Sequence, residues 1–226
     1  MSAMNQRRSF LARLAAAAAA FGVSQSSAQA QDAAPRPSPT PSAPASRWQP
    51  MRDAKDDWYD QVPGKHRLVF DSVSPEGVAS AAQFTGNFFT GNKNGYGLDA
   101  NDVAVIIVMR HRATQFAFTD AIWSKYGAHL SESEKFVDPK TNQAPTSNVY
   151  RTNLENQTKR GVQLAVCDLS THRLAAYIAR KIDDGNADAV YKELTSNALP
   201  NVHFVPAGIV AVNRAQEHGY ALSHAG

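Results

Sequence analysis

Residues 103–109 read VAVIIVM, seven apolar positions with no polar interruption. A strand that meets water on one face alternates apolar and polar side chains. A strand apolar at every position has to be covered on both faces. Val and Ile also favour the extended chain. The run is far too short to span a bilayer. It therefore reads as the central strand of a parallel sheet with helices packed on either side.

The rest of the chain alternates in keeping with that requirement. Leu68, Val69 and Phe70 mark a first short strand within 66–72. Pro75 opens a helix whose Val78, Ala81, Ala82, Thr85, Phe88 and Phe89 form one face. Phe116, Phe118, Ile122, Trp123 and Tyr126 predict a helix over 114–126, and shorter helices are expected at 153–160 and 187–194. Val202 to Val205 reads as the last core strand. A helix over 208–218 turns Ile209, Val212 and Ala215 inward and stops at Gly219, and 220–222 adds an edge strand. The fold class expected is α/β, a three-layer sandwich with a mainly parallel sheet of four to five strands. Gly91, Gly95 and Gly97 follow a helix and precede a strand, the reverse of a dinucleotide fingerprint, and are read as a flexible loop. Residues 127–152 are polar, carry Pro139 and Pro145 and show no period. They read as a surface loop, or as a lid or subunit contact.

The chemistry centres on 161–173, GVQLAVCDLSTHR. Val162, Leu164, Ala165 and Val166 form a buried strand. Asp168, Ser170 and Thr171 offer N-cap chemistry, and Leu174, Ala175, Ile178, Ala179 and Ile182 recur at helical spacing. Cys167, the only cysteine, stands where the strand ends and the helix begins. Ligands gather at that edge of an open α/β sheet, and helix N–H groups there favour an anion. Two readings stand: a reactive thiol, or a small buried hydrophobe closing the strand. Arg110, His111 and Arg112 follow the central strand directly and bring His111 to the same edge. Arg110, His111 or His172 would tune the thiol if close, and His111 would move a proton. The structural alternatives are a strand-end histidine bonded to a loop for His111 and a solvent-facing first-turn residue for His172. Asp120 and Lys125, with Trp123 between them, read either as lining a site or as solvating the helix, and solvation is the favoured reading.

The strand ending in Val166 and Cys167, the hydroxyl-rich turn and the helix resemble the DsrE/DsrF-like sulfur-relay family. So does the tail: Leu199-Pro200-Asn201-Val202, then Val205-Pro206-Ala207-Gly208-Ile209-Val210, then Gln216-Glu217-His218-Gly219-Tyr220. The resemblance covers about 65–222. It implies a DsrE-like, Rossmann-like domain and a persulfide carried on Cys167, and it passes a role to that residue alone. The reading of the residues themselves adds His111 as a catalytic partner and Arg110, His172, Ser170, Thr171 and Gly208 as substrate-binding or pKa-tuning groups. A sulfur donor and acceptor protein, or a small sulfur species, would be the partners of a trimer or hexamer. The alternative within the same fold is a non-catalytic module binding a small ligand, metal or haem through Cys167, His111 and His172. No HExxH, CxxC or CxxCH spacing marks a metal or haem site and no G-x-S-x-G marks a serine nucleophile, so no metal ligand and no cofactor is assigned.

The first 30 residues read as a twin-arginine signal peptide: Arg7-Arg8-Ser9-Phe10-Leu11, an alanine-rich apolar stretch to Val23, and a small-x-small cleavage site at Ala28-Gln29-Ala30. The expected location is periplasmic, with no stable membrane span after cleavage. Arg7, Arg8 and Arg13 are the only charged residues before Gln31, so cleavage takes the formal charge from +3 to 0. A neutral mature chain without a basic stripe argues against nucleic acid as a partner. Residues 31–62 begin as a Pro/Ala/Ser-rich linker and end with Trp58 and Tyr59, which are expected to pack on the edge of a domain spanning 63–226.

Overall fold

The computed structural model describes residues 49–183 and 185–226. The expected signal segment and the Pro-rich stretch up to residue 48 lie outside the described residues. Five strands form one sheet: β1 (His66–Ser72), β2 (Val103–Met109), β3 (Gln163–Cys167), β4 (Val202–Val205) and β5 (Ala221–Ala225). Their order is β4-β3-β2-β1-β5 and every pairing is parallel. β2 lies at the centre with all of its residues buried, as its unbroken apolar run requires. β4 stands at one edge of the sheet rather than inside it, and β5 forms the other edge.

The period of two along β2 divides the interior into two cores. Val103, Val105, Ile107 and Met109 face one layer; Ala104, Ile106 and Val108 face the other. The first layer is built from α2 (Pro75–Tyr96), α3 (Asp120–Glu134), α4 (Arg151–Thr158), α5 (Asp168–Ala179) and α6 (Ala187–Ser196), which contribute Val78, Trp123, Leu154, Ile178 and Leu194. The second has α7 (Gly208–Glu217), which brings Ala211, Val212 and Ala215. One ten-residue helix cannot cover that face alone. The short α1 (Trp58–Gln61) completes it with Tyr59, next to Val62. The Tyr59 hydroxyl donates to the Ala211 carbonyl at 3.3 Å, Tyr220 donates to the Tyr59 carbonyl at 2.8 Å, and Trp58 stacks on His203 at 4.1 Å. Among the described residues no helix is long and apolar enough to cross a membrane.

Three local expectations are corrected. Gly91 and Gly95 are not loop residues: α2 continues through them to Tyr96 and ends at Gly97, whose left-handed φ of 70° lets Gly97 N–H bond Lys93 O and Leu98 N–H bond Asn92 O. The helix expected over 114–126 begins only at Asp120. Residues His111–Ala117 form a 3₁₀ segment instead, because the backbone beyond is claimed from elsewhere. Leu199 N–H bonds Ala117 O, Thr119 N–H bonds Asn197 O, and the Asn148 amide donates to both Phe116 O and Phe118 O. The stretch 127–152 is not a structureless insertion. Its first part extends α3 to Glu134, where Lys135 turns left-handed. Its second part is pinned by buried Asn148 and by Phe136 and Tyr150 packed on Phe116.

Candidate functional site

Parallel register brings the carboxyl ends of the strands level. Ser72 pairs with Met109, Met109 with Val166, and Cys167 with Val205. The residue after β2, Arg110, therefore emerges beside Cys167. Its guanidinium is clamped on Asp71 of β1, Nε to Oδ1 at 2.7 Å and Nη2 to Oδ2 at 2.9 Å. Asp71 is 6% exposed, and His224 Nδ1 of β5 lies 3.5 Å from its Oδ2. The Asp71 hydrogen bonds hold the Arg110 guanidinium above its ordinary value against the opposing effect of burial. The Asp71 charge and then Cys167 push the same way as the hydrogen bonds. The Arg110 stem runs over Gly208, the first residue of α7. A Cβ there would collide with Arg110 Cβ, so glycine is what lets the stem cross the helix start.

Cys167 carries a free thiol and is 6% exposed. Its sulfur accepts a hydrogen bond from Ser170 Oγ at 3.3 Å, and that same oxygen accepts from the backbone N–H of His111 at 3.2 Å. His111 has φ of 55°, a left-handed conformation uncommon outside glycine. The expected N-cap chemistry is corrected: Cys167 itself takes the N-cap position, Asp168 starts the helix, and Thr171 turns its hydroxyl back onto Cys167 O at 3.0 Å. The cap expectation fails because the helix starts at Asp168, which takes Asp168, Ser170 and Thr171 into the helix rather than leaving any of them ahead of it.

Of the residues singled out from sequence, Cys167, Ser170, Arg110 and Gly208 come together. His111 joins through its backbone, while its side chain is exposed. Thr171 is buried and serves the helix backbone. His172 turns away: its ring stacks on Tyr191 at 3.9 Å, and its Nε2 lies 3.4 Å from Asp168 Oδ2. Tyr191 donates to Asp168 at 2.7 Å, and that bond pushes its phenol up to about 12. Asp71 and His224 were not anticipated. Asp71 had a readable signal, a carboxylate closing an apolar strand; His224 had none. No group of three or more His, Cys, Asp and Glu side chains is placed to hold a metal ion among the described residues.

Comparison with protein-family models and with curated proteins returns no match. Among solved structures, a protein of unknown function from Methanobacterium thermoautotrophicum is similar at a TM-score of 0.41 and 15% identity. That match covers 71% of this chain and 99% of the other. A likeness so distant carries no argument about chemistry.

Proposed function

We propose that the chain is an exported, DsrE-like sulfur carrier in which Cys167 holds a persulfide. The observation that supports this reading is the setting of the sulfur. It lies at the carboxyl edge of a parallel sheet, 3.3 Å from a hydroxyl donor, next to a guanidinium that Asp71 keeps from moving. A sulfur anion formed there faces a donor and a fixed cation. The Cys167 thiolate attacks the outer sulfur of a donor persulfide, R–S–S–H. The Sγ–S bond forms, the donor's S–S bond breaks, and the donor leaves as the thiolate R–S⁻. No oxidant is consumed. Delivery is the same exchange run onto an acceptor thiolate, which makes the protein a carrier rather than a turnover enzyme. The same proposal takes residues 1–30 as a twin-arginine signal, which would set this work in the periplasm, and it includes assembly into a trimer or hexamer.

Incubation of the purified chain with a small-molecule persulfide tests it by intact mass. The expected result is one added sulfur atom on the wild-type chain and none on Cys167→Ser. Absence of added sulfur on the wild type overturns it. One observation favours a second reading, a non-covalent binding module of the same fold: Cys167 is buried. Under that reading the thiol resists alkylation in the native chain and no sulfur is transferred.

A further inference from the structure

The two edges of the sheet are finished differently. β4 is guarded: Pro200 and Pro206 bracket it, and Trp58 of α1 stacks on its His203. β5 is not. It holds five residues, pairs one-to-one with β1 without a bulge, and contains neither proline nor lysine. Among the described residues no loop or side chain bonds its outward N–H and C=O groups. An open edge of that kind is a template for another strand. Apolar side chains flank it on both faces. Leu222 pairs with Val69, a member of the second core, so Leu222 faces that layer, and it is 45% exposed. Ala221, Ser223 and Ala225 face the other layer, where α2 overhangs them. The side of α2 turned to β5 carries Gly77, Phe84 and Phe88. A Cβ on Gly77 would collide with Ala225 O, whereas Gly86, on the opposite side of the helix, meets Gln157 of α4. Phe84 is 46% exposed and Phe88 is half-buried.

We infer that a second copy of this chain docks on that edge, with β5 antiparallel to the partner's β5 about a two-fold axis at Ser223. The strand is self-complementary in this register. Ser223 faces its own copy, Ala221 faces the partner's Ala225, and Leu222 faces the partner's His224. Only small side chains lie under the α2 overhang, so the two strands can close to ladder distance. α2 runs against the strands. Seven helix residues from Gly77 and three strand residues from Ala225 each cover about 10 Å, which sets Phe84 level with Leu222, beside the axis. The two Phe84 rings then cover the joint from one side and the two Leu222 side chains from the other. His224 is the only ionisable group on β5, and the register sets it against leucine rather than against its own copy. The face is large enough for the task. α2 is about 33 Å long, and the layers on either side of the sheet give a depth of about 20 Å, so on the order of 600 Å² is covered per copy. That is the low end of a specific interface. A foreign strand would find the same backbone edge, but a copy of this chain also brings the overhanging Phe84 that closes the gap above Ser223. Cys167 is three strands away on β3, so the contact stands apart from sulfur transfer.

Sedimentation of the full chain over a dilution series tests the inference. The expected species is a dimer, or a larger assembly of such dimers, with a dissociation constant on the order of micromolar for a contact of this size. Phe84→Lys and Leu222→Lys, both at exposed positions, are each expected to weaken association about a hundredfold or more, because each sets two like charges beside the axis. Their circular dichroism is expected to stay that of wild type. Ile209→Lys, on an exposed apolar residue of α7 away from β5, leaves association unchanged. Amide hydrogen exchange needs no variant: the outward amides of 221–225 gain protection as concentration rises. A chain that stays monomeric at about 100 μM overturns the inference. So does an assembly that both lysine variants leave intact. Protection of the β5 amides that does not depend on concentration also overturns it, since that result means a segment of the same chain lies on the edge. Persulfide loading of Cys167 is a separate measurement, and neither outcome there changes this one.

Discussion

Replacement of Arg110 by methionine isolates the charge at the heart of the sheet edge. Methionine keeps an unbranched stem to lie over Gly208, so what disappears is the guanidinium and its two hydrogen bonds to Asp71. Asp71 is then left buried with only His224 at 3.5 Å. Removal of one partner of a fully buried pair costs about 3–5 kcal/mol. The Arg110 side chain is 26% exposed, so water reaches the site and the cost falls to about 2–3 kcal/mol. For a domain of this size each kcal/mol moves the midpoint by about 2–4 °C, which gives a drop of about 4–12 °C in thermal unfolding followed by circular dichroism. The double variant Asp71→Asn with Arg110→Met strands no charge and is expected to recover at least half of that loss. A single variant within about 2 °C of wild type refutes the reasoning, on the same conversion. So does a double variant no more stable than the single one.

Gly208→Ala is expected to destabilise by about 1–3 kcal/mol in urea unfolding, since its Cβ displaces the Arg110 stem. Gly91→Ala, with open space around it in α2, is expected instead to stabilise by about 0.5–1 kcal/mol in the same assay. Burial pushes the Glu134 carboxyl up, with Arg112, His111 and Ser133 pulling it back only in part. A raised folded value favours the protonated form, so that contribution is present below about pH 4.3 and is lost as pH rises through the folded value. Glu134→Gln is therefore expected to match wild type in acid and to exceed it at pH 7, as read by midpoints across a pH series. Burial beside Trp58 lowers the His203 imidazole. Its stabilising contribution is present above about pH 6.5 and is lost as pH falls through the folded value, so His203→Gln is expected to unfold less steeply in that window than wild type.

Much of this architecture can be read from short windows of chain. VAVIIVM demands cover on both faces wherever it sits, and β2 is buried throughout for that reason. The junction at Cys167 is equally local, because the apolar run that makes β3 and the helical period that makes α5 meet at that residue. Helix limits were less legible. The 3₁₀ segment from His111 and the late start of α3 follow from hydrogen bonds that Asn148, Asn197 and Leu199 make across the fold.

The company each side chain keeps was decided only when the layers closed. Asp71 meets Arg110 from 39 residues away because β1 and β2 run side by side in register. His172, four positions after Asp168, faces Tyr191 rather than the thiol because α6 packs on α5. The same closure buried Gln115, and Tyr59 gained a place in the core because the second face had a single helix to cover it. Periodicity says which face of an element is apolar, since that depends on neighbours in the chain. Which element arrives on that face depends on contacts between residues far apart, and those exist only in the folded molecule.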